Sequence, residues 1–259
     1  MRESKLLKKI RAGECARVCA TGHYLPFFVR YAAHFKFDAI WFDLEHRAMD
    51  QREVQSFLGM CYHQDIDAMV RPPTLERTRL YRYLEDGAAG FMMPFVSEEE
   101  TAKWIVEAVK FPPLGNRGID GAGLDADFGI EAWKEGSNYL AESNEQNFVM
   151  AQIETCQALE NVEKIAAVEG IDVLFVGPAD LGARLEATGG IPLEKAIEKV
   201  AETARKHGKA WGIPAGSPEK LREYRQMGAQ VLVNGGDFAL MTVLENCSKE
   251  FDEVLGELD

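Results

Sequence analysis

Short apolar runs rich in β-formers punctuate the chain at eight places: residues 17–21, 39–44, 68–71, 90–96, 148–154, 173–176, 210–214 and 231–234. Between most of them lie stretches with helical spacing, among them 51–62, 74–84, 97–109, 158–168, 193–206 and 219–227. Strand–helix alternation repeated eight times predicts an α/β fold, a (β/α)8 TIM barrel in a single domain over residues 1–259. An open doubly wound sheet is the alternative. That fold usually carries a glycine-rich phosphate turn after its first strand, and Thr21-Gly-His-Tyr-Leu-Pro26 has no such pattern.

The leading segment, 1–11, mixes charge with leucines at helical spacing and reads as a short helix. The last, 238–258, reads as a helix that packs on the barrel or on a neighbour. One connection is too long for a simple βα unit. Residues 112–147 hold a glycine-rich stretch, 115–123, and then a helical pattern over 129–142. Long loops inside compact domains tend to carry function. A surface excursion or an oligomer contact accounts for this one equally well.

Composition narrows the field. A chain of 259 residues suits one barrel, since such folds run to about 250 residues. The net charge of −13 argues against nucleic acid or an anionic membrane as main partner. An anionic substrate therefore needs a local positive feature, such as a metal or a buried arginine. The five cysteines are odd in number and form no CxxC pair, which predicts reduced thiols in a cytoplasmic protein. The N-terminus lacks the apolar stretch of a signal peptide. No apolar run reaches the roughly 18 residues needed to span a bilayer.

In a barrel of this kind the active site lies at the C-terminal ends of the strands. Strand two ends in Asp43-Leu-Glu-His46, strand three in Arg71, strand five in Gln152 and Glu154, and strand six in Gly177-Pro-Ala-Asp180. Strand eight ends in Asn234-Gly-Gly-Asp237. Glu154 and Asp180 close two apolar runs, where an unpaired ionised group is costly to desolvate. Each alone has a plainer reading: an arginine partner for Glu154, a helix N-cap for Asp180. Together they have the makings of a hard-cation site. Two carboxylates with waters suit Mg²⁺ or Mn²⁺, with Co²⁺ also admissible, better than zinc.

His46 follows an acid-rich strand end, and neighbouring carboxylates raise the basicity of an imidazole, so it is the candidate general base. Asp43 is its expected acidic neighbour. His23 follows strand one, within reach of the pocket, whereas His34, His63 and His207 fall at surface positions. Arg71 either pairs with a barrel carboxylate or stabilises an enolate oxygen. The turn Gly177-Pro178-Ala179-Asp180 offers backbone N–H groups to a substrate carboxylate. No lysine sits at any strand end. Lys36 and Lys209 precede strands two and seven, so a Schiff-base route is disfavoured.

These motifs, read in order, resemble the HpcH/HpaI aldolase family of metal-dependent (class II) pyruvate aldolases. The resemblance runs from about residue 12 to 241. It is carried by Phe37-Asp-Ala-Ile-Trp-Phe-Asp-Leu-Glu-His46, Val70-Arg-Pro72, Gly115-Asn-Arg-Gly118, Gln152-Ile-Glu-Thr155 and Gly177-Pro-Ala-Asp-Leu181. It implies a barrel whose last helix is often exchanged between partners in a hexamer. It implies Glu154 and Asp180 as metal ligands, with Gln152 and Ala179 against the bound 2-oxo acid. It implies His46 as proton acceptor and Arg71 as transition-state stabiliser. The acid said to make the histidine more basic matches Glu85, which ends a helix far from its own strand tips. Two positions depart from the pattern: Ala20 stands where a tryptophan is common, and Arg47 follows the histidine. Arg47 suits either an acidic aldehyde or a surface salt bridge.

The expected activity is reversible cleavage of a 4-hydroxy-2-oxo acid to pyruvate and an aldehyde. The substrate would be of the type of a 2-keto-3-deoxy sugar acid or 4-hydroxy-2-oxoheptanedioate. The alternatives are a citramalyl- or malyl-CoA-type lyase and a barrel that isomerises or binds a phosphate ligand. For the latter, Gly235-Gly236 is the best support.

Overall fold

A computed structural model describes residues 2–130 and 132–256. Eight parallel strands close into a barrel in chain order, with the last returning to the first. They are β1 (Ala16–Thr21), β2 (Ala39–Asp43), β3 (Asp67–Arg71), β4 (Gly90–Met93), β5 (Phe148–Ile153), β6 (Val173–Val176), β7 (Ala210–Pro214) and β8 (Val231–Gly236). The helices are α1 (Lys5–Arg11), α2 (Pro26–His34), α3 (Gln51–His63), α4 (Arg77–Glu85), α5 (Glu99–Val109) and α6 (Tyr139–Gln146). They continue with α7 (Cys156–Glu160), α8 (Val162–Ala166), α9 (Pro178–Thr188), α10 (Leu193–Lys206), α11 (Pro218–Gln226) and α12 (Ala239–Leu255). Residues 257–258 of the expected last helix lie outside the described residues.

The two-residue alternation of a strand sorts side chains between two cores. Ile40, Phe42, Val70, Val149, Ala151 and their like face outward and pack against the helices. Val18, Ala39, Met69, Phe148, Met150 and Phe175 face inward and fill the barrel. Each large apolar side chain buried this way contributes about 1.5–3 kcal/mol. Followed upward, the inward column turns polar: Asp43 lies two residues beyond Trp41, Arg71 beyond Met69, and Gln152 and Glu154 beyond Met150. The site is therefore the top layer of the same packing that fills the interior.

The lower end is sealed by the chain's own N-terminal segment. Asp67, fully buried at the start of β3, accepts from Arg2 Nη2 (2.6 Å), Ser4 Oγ (2.7 Å) and the Leu6 amide (2.9 Å). At the upper end, a capping box starts α3. Asp50 accepts from the Glu53 amide at 2.9 Å, and the Glu53 carboxylate accepts from the Asp50 amide at 2.9 Å. Such a cap is worth about 1 kcal/mol. It also fixes the far end of the loop that carries His46.

Three expected elements differ. The run 90–96 is strand only to Met93. Pro94 has no N–H to donate, and Phe95 turns to φ +53°. The pattern 158–168 folds as two short helices broken at Asn161, whose side chain donates to the Ser97 carbonyl at 2.9 Å. In the long connection the expected helix over 129–142 is displaced. A 3₁₀ segment spans Leu124–Gly129 and α6 begins only at Tyr139. Asp127, Phe128, Gly129 and Gly136 all have positive φ, which a helix cannot absorb; residue 131 of that expectation lies outside the described residues. The connection is instead pinned by a buried network in which Asp125 Oδ2 accepts from Arg117 Nη2 (2.7 Å) and Tyr139 Oη (2.8 Å). Helix α12 buries none of its residues within the chain, and Met241, Leu244, Phe251 and Val254 are all exposed. No described helix is long and apolar enough to cross a membrane.

Candidate active site

Asp43 and Arg71 are register partners at the tips of β2 and β3. Arg71 grips the Asp43 carboxylate with two prongs: Nε to Oδ1 at 3.0 Å and Nη2 to Oδ2 at 2.8 Å. Its Nε also lies 3.1 Å from Glu45 Oε2, and its guanidinium stacks over Trp41 at 4.8 Å. Burial alone would push the Asp43 carboxyl up. The Arg71 hydrogen bonds and charge outweigh that and hold it below the usual carboxylate range. A guanidinium clamped this way is preorganised, with little freedom left to lose.

The neighbour of His46 is not the expected one. Asp43 Oδ1 accepts from the backbone amides of Glu45 (3.0 Å) and His46 (3.4 Å), so Asp43 anchors the loop and holds Arg71. The acid beside the imidazole is Glu45, with its Oε2 3.6 Å from His46 Nε2. The physical reason is parity. Glu45 lies two residues past Asp43 and turns to the same side, a signal that was readable in the spacing. The His46 ring is more than half exposed and presents its edge at the barrel mouth.

Glu154 lies across the mouth and is almost fully buried. Its Oε1 accepts from the Phe95 amide at 2.7 Å and its Oε2 from Gln152 Nε2 at 2.6 Å. The left-handed turn at Phe95 aims that amide. A bulky residue held at positive φ is strained, and such strain clusters at functional sites. Burial pushes the Glu154 carboxyl up to about 7, and the charges of Glu45 and Asp180 push the same way. Gln152 Oε1 is buried with no hydrogen-bond partner among the described residues.

Asp180 is not the cap of α9. Gly177 holds that position, Pro178 and Ala179 follow, and Asp180 is the third helical residue, half exposed and paired with Arg184 at 3.0 Å. Gly177 has no side chain with which to cap the first turn of α9, whose leading N–H groups lack an intrahelical partner. A Cβ on Gly177 would stand 2.8 Å from both Gln152 Nε2 and Glu154 Cβ, so only glycine leaves this wall of the site open.

Glu85 is not brought to this cluster within the chain. It ends α4, which runs back from the strand tips for nine residues, about 14 Å at 1.5 Å per residue. There it lies near Gly123 of the long connection, half-buried, with burial pushing its carboxyl up. Gly235-Gly236 has a packing explanation, because a Cβ on Gly236 would fall 2.4 Å from the Ala20 carbonyl oxygen. The phosphate-site reading thereby loses its best support. His23 and Arg47 both reach the mouth, near the tip of β1.

The cluster thus gathers Asp43, Glu45, His46, Arg71, Gln152, Glu154, Gly177, Pro178, Ala179 and Asp180 at one end of one barrel. A family model described as HpcH/HpaI aldolase/citrate lyase matches residues 24–242. The chain belongs to the HpcH/HpaI aldolase/citrate lyase family. A hydroxypyruvate/pyruvate aldolase of Pseudomonas aeruginosa is 31% identical over 92% of this chain and 88% of its own length. A 5-keto-4-deoxy-D-glucarate aldolase of Klebsiella pneumoniae is 34% identical over 79% of each chain. The crystal structure of an HpcH/HpaI aldolase from Desulfitobacterium hafniense superposes with a TM-score of 0.87 at 31% identity, covering 97% of this chain and 98% of that one.

The donor set fits the metal that the family resemblance implies. All candidate ligands are oxygens: two carboxylates within electrostatic reach of one another and an unsatisfied amide oxygen beside them. No three His, Cys, Asp or Glu side chains form a closed cage among the described residues. Two carboxylates with open positions left for waters and substrate are the arrangement that Mg²⁺-like ions adopt.

Proposed function

We propose that this chain is a divalent-metal-dependent aldolase that reversibly cleaves a 4-hydroxy-2-oxo acid to pyruvate and an aldehyde. The observation that carries the reading is the division of the mouth into two halves. One holds cation-seeking oxygens, buried on Gln152 and Glu154 and half exposed on Asp180. The other holds a clamped guanidinium and a half-exposed imidazole (Arg71, His46).

Glu154 and Asp180 would hold the cation, Mg²⁺ or Mn²⁺, with Co²⁺ also suited to the site. When bound, it would polarise the 2-oxo group and draw off charge as the C3–C4 bond breaks. Gln152 and the first turn of α9, Gly177 to Asp180, bind the 2-oxo acid, with the helix N-terminus facing its carboxylate. His46 takes the proton from the 4-hydroxyl, and Glu45 Oε2 lies 3.6 Å from its Nε2. Arg71 stabilises the oxygen that gains charge, and Asp43 keeps the guanidinium in place. Glu85, given that role by the family resemblance, could approach His46 only across an interface between subunits. Within one chain Glu45 occupies the position. The uncovered apolar face of α12 supports a homo-oligomer, a hexamer with the helix exchanged between partners. We further assign the enzyme to the cytoplasm.

The test is pyruvate release from a panel of 4-hydroxy-2-oxo acids, with chelator and with added Mg²⁺ or Mn²⁺. Metal-dependent pyruvate is expected from at least one. No pyruvate from any of them overturns the reading and returns the CoA-ester lyase to first place.

A further inference from the structure

A second polar assembly stands at the mouth, at the tips of β1 and β8, and the reaction outlined above does not use it. Its foundation is Asp237, just past β8, with a side chain only 3% exposed. Asp237 Oδ2 accepts from the Gly22 amide (2.9 Å) and Thr21 Oγ1 (3.2 Å) and lies 2.6 Å from His23 Nδ1. Burial alone would raise this carboxyl, but the hydrogen bonds from His23, Gly22 and Thr21 outweigh it and hold it low. An imidazole whose Nδ1 faces a carboxylate carries a proton there, which fixes the ring and leaves Nε2 for another partner. The His23 ring is more than half exposed, so that edge is open to a ligand.

Arg47 stands beside it. Its stem packs on Gly22, where a Cβ would come within 2.7 Å of Arg47 Cγ. Its Nη1 donates to the His46 carbonyl at 2.7 Å, and its guanidinium lies 5.1 Å over the Phe238 ring. The His23 ring meets the same Phe238 edge-on at 6.0 Å. No carboxylate pairs with Arg47 among the described residues. The surface salt bridge that would have explained it is therefore missing, in a chain of net charge −13. A guanidinium left without an acid, tied to the backbone of the candidate base, has donors to spare for a bound anion.

Barrel order gives the assembly a direction. In a closed ring of eight strands β1 stands across from β5. A substrate whose pyruvyl half sits by Glu154 on β5, and whose 4-hydroxyl meets His46 after β2, sends its remaining carbons toward β1. Ala20, small and partly buried there, leaves room for them. We propose that Arg47 and His23 form the subsite for the aldehyde half. Arg47 takes a carboxylate, and His23, oriented by Asp237, accepts from a hydroxyl. The preferred aldehyde is thus a hydroxylated acid. This inference rests on the aldolase reading.

The test is the aldol direction, with pyruvate, Mn²⁺ and paired aldehydes: succinic semialdehyde against butanal for the carboxylate, glycolaldehyde against acetaldehyde for the hydroxyl. The ratio of kcat/KM within each pair is the readout. Arg47→Met should lower the acid-to-neutral ratio roughly ten- to a hundredfold, the range of a lost charged hydrogen bond, and Arg47→Lys should recover part of it. Gly22→Ala, which crowds the Arg47 stem without removing its charge, should lower the same ratio. His23→Leu should lower the hydroxyl ratio and leave the acid ratio less affected. Unchanged ratios in all variants, with wild-type turnover intact, overturn the subsite alone. A shift in oligomer size on gel filtration with unchanged ratios would assign Arg47 to a contact between copies, which also overturns it. No adduct from wild type with any aldehyde overturns the aldolase reading and the subsite together.

Discussion

Asp67 and Glu154 are both inward-facing carboxylates of the same barrel, and both are almost wholly buried. Asp67, at the lower end, is surrounded by a guanidinium, a hydroxyl and a backbone amide supplied by the first six residues. Glu154, at the upper end, has one backbone amide and one side-chain amide, no cation in contact among the described residues, and a carboxyl pushed up to about 7 by burial despite the more distant charge of Arg71. A buried carboxylate without a counter-charge is expensive. At one end the chain provides that charge itself. At the other it leaves the position open, and that difference separates a structural acid from a candidate ligand.

Exchanging the two acids in turn should break the comparison in opposite ways. Glu154→Gln should cut metal-dependent kcat by about a thousandfold, since metal stabilisation is worth several kcal/mol. Its melting temperature in chelator should hold or rise. A variant that melts lower yet keeps full turnover would reverse the assignment. Asp67→Ala should instead cost about 3 kcal/mol of stability, because it strands the Arg2 and Ser4 donors. Urea denaturation reads that loss, while turnover per folded molecule should stay near wild type.

Smaller changes sharpen the contrast. Gly177→Ala places a methyl against Gln152 and Glu154 and should reduce kcat/KM by about tenfold, at the low end of an overpacking penalty. Steady-state kinetics at saturating metal would detect it. Proton competition is the mildest lever. The metal-free Glu154 carboxyl is raised from 4.5 to about 7, so the native state holds a proton that the unfolded chain has lost between those values. Its contribution to stability is complete below 4.5 and disappears as pH rises through about 7. A metal must displace that proton, so apparent affinity should climb by up to about tenfold per pH unit below 7 and then level. Calorimetric Mn²⁺ titrations from pH 5.5 to 8.5 would show this, and a flat profile would mean that another group holds the ion.

Much of the fold was legible because each strand is an apolar run bounded by breakers. Segments 173–176 and 210–214 match β6 and β7 residue for residue. The long connection was not legible. Its structure depends on a buried Arg117–Asp125–Tyr139 network and several left-handed residues, and none of these has a periodic signature. In the site, Asp43, Arg71, Gln152 and Glu154 could be read from strand parity alone. Glu45 obeys the same parity, and it stands beside His46 because Asp43 is taken up by Arg71 and by the loop amides of Glu45 and His46. The freedom of Arg47 from any acid, among the described residues, is a tertiary fact that no local pattern carries.

The lower seal also has a history in time. Ser4 and Asp67 stand 63 residues apart, and a ribosome adding roughly 5–20 residues per second separates them by seconds. A seven-residue helix such as α1 does not hold together alone. Leu6 and Leu7, wholly covered in the finished protein, are therefore bare throughout that interval. The residues of this seal are made before the strand that receives them and find their place only after it. Until the third strand has emerged, these two leucines are apolar surface open to other chains.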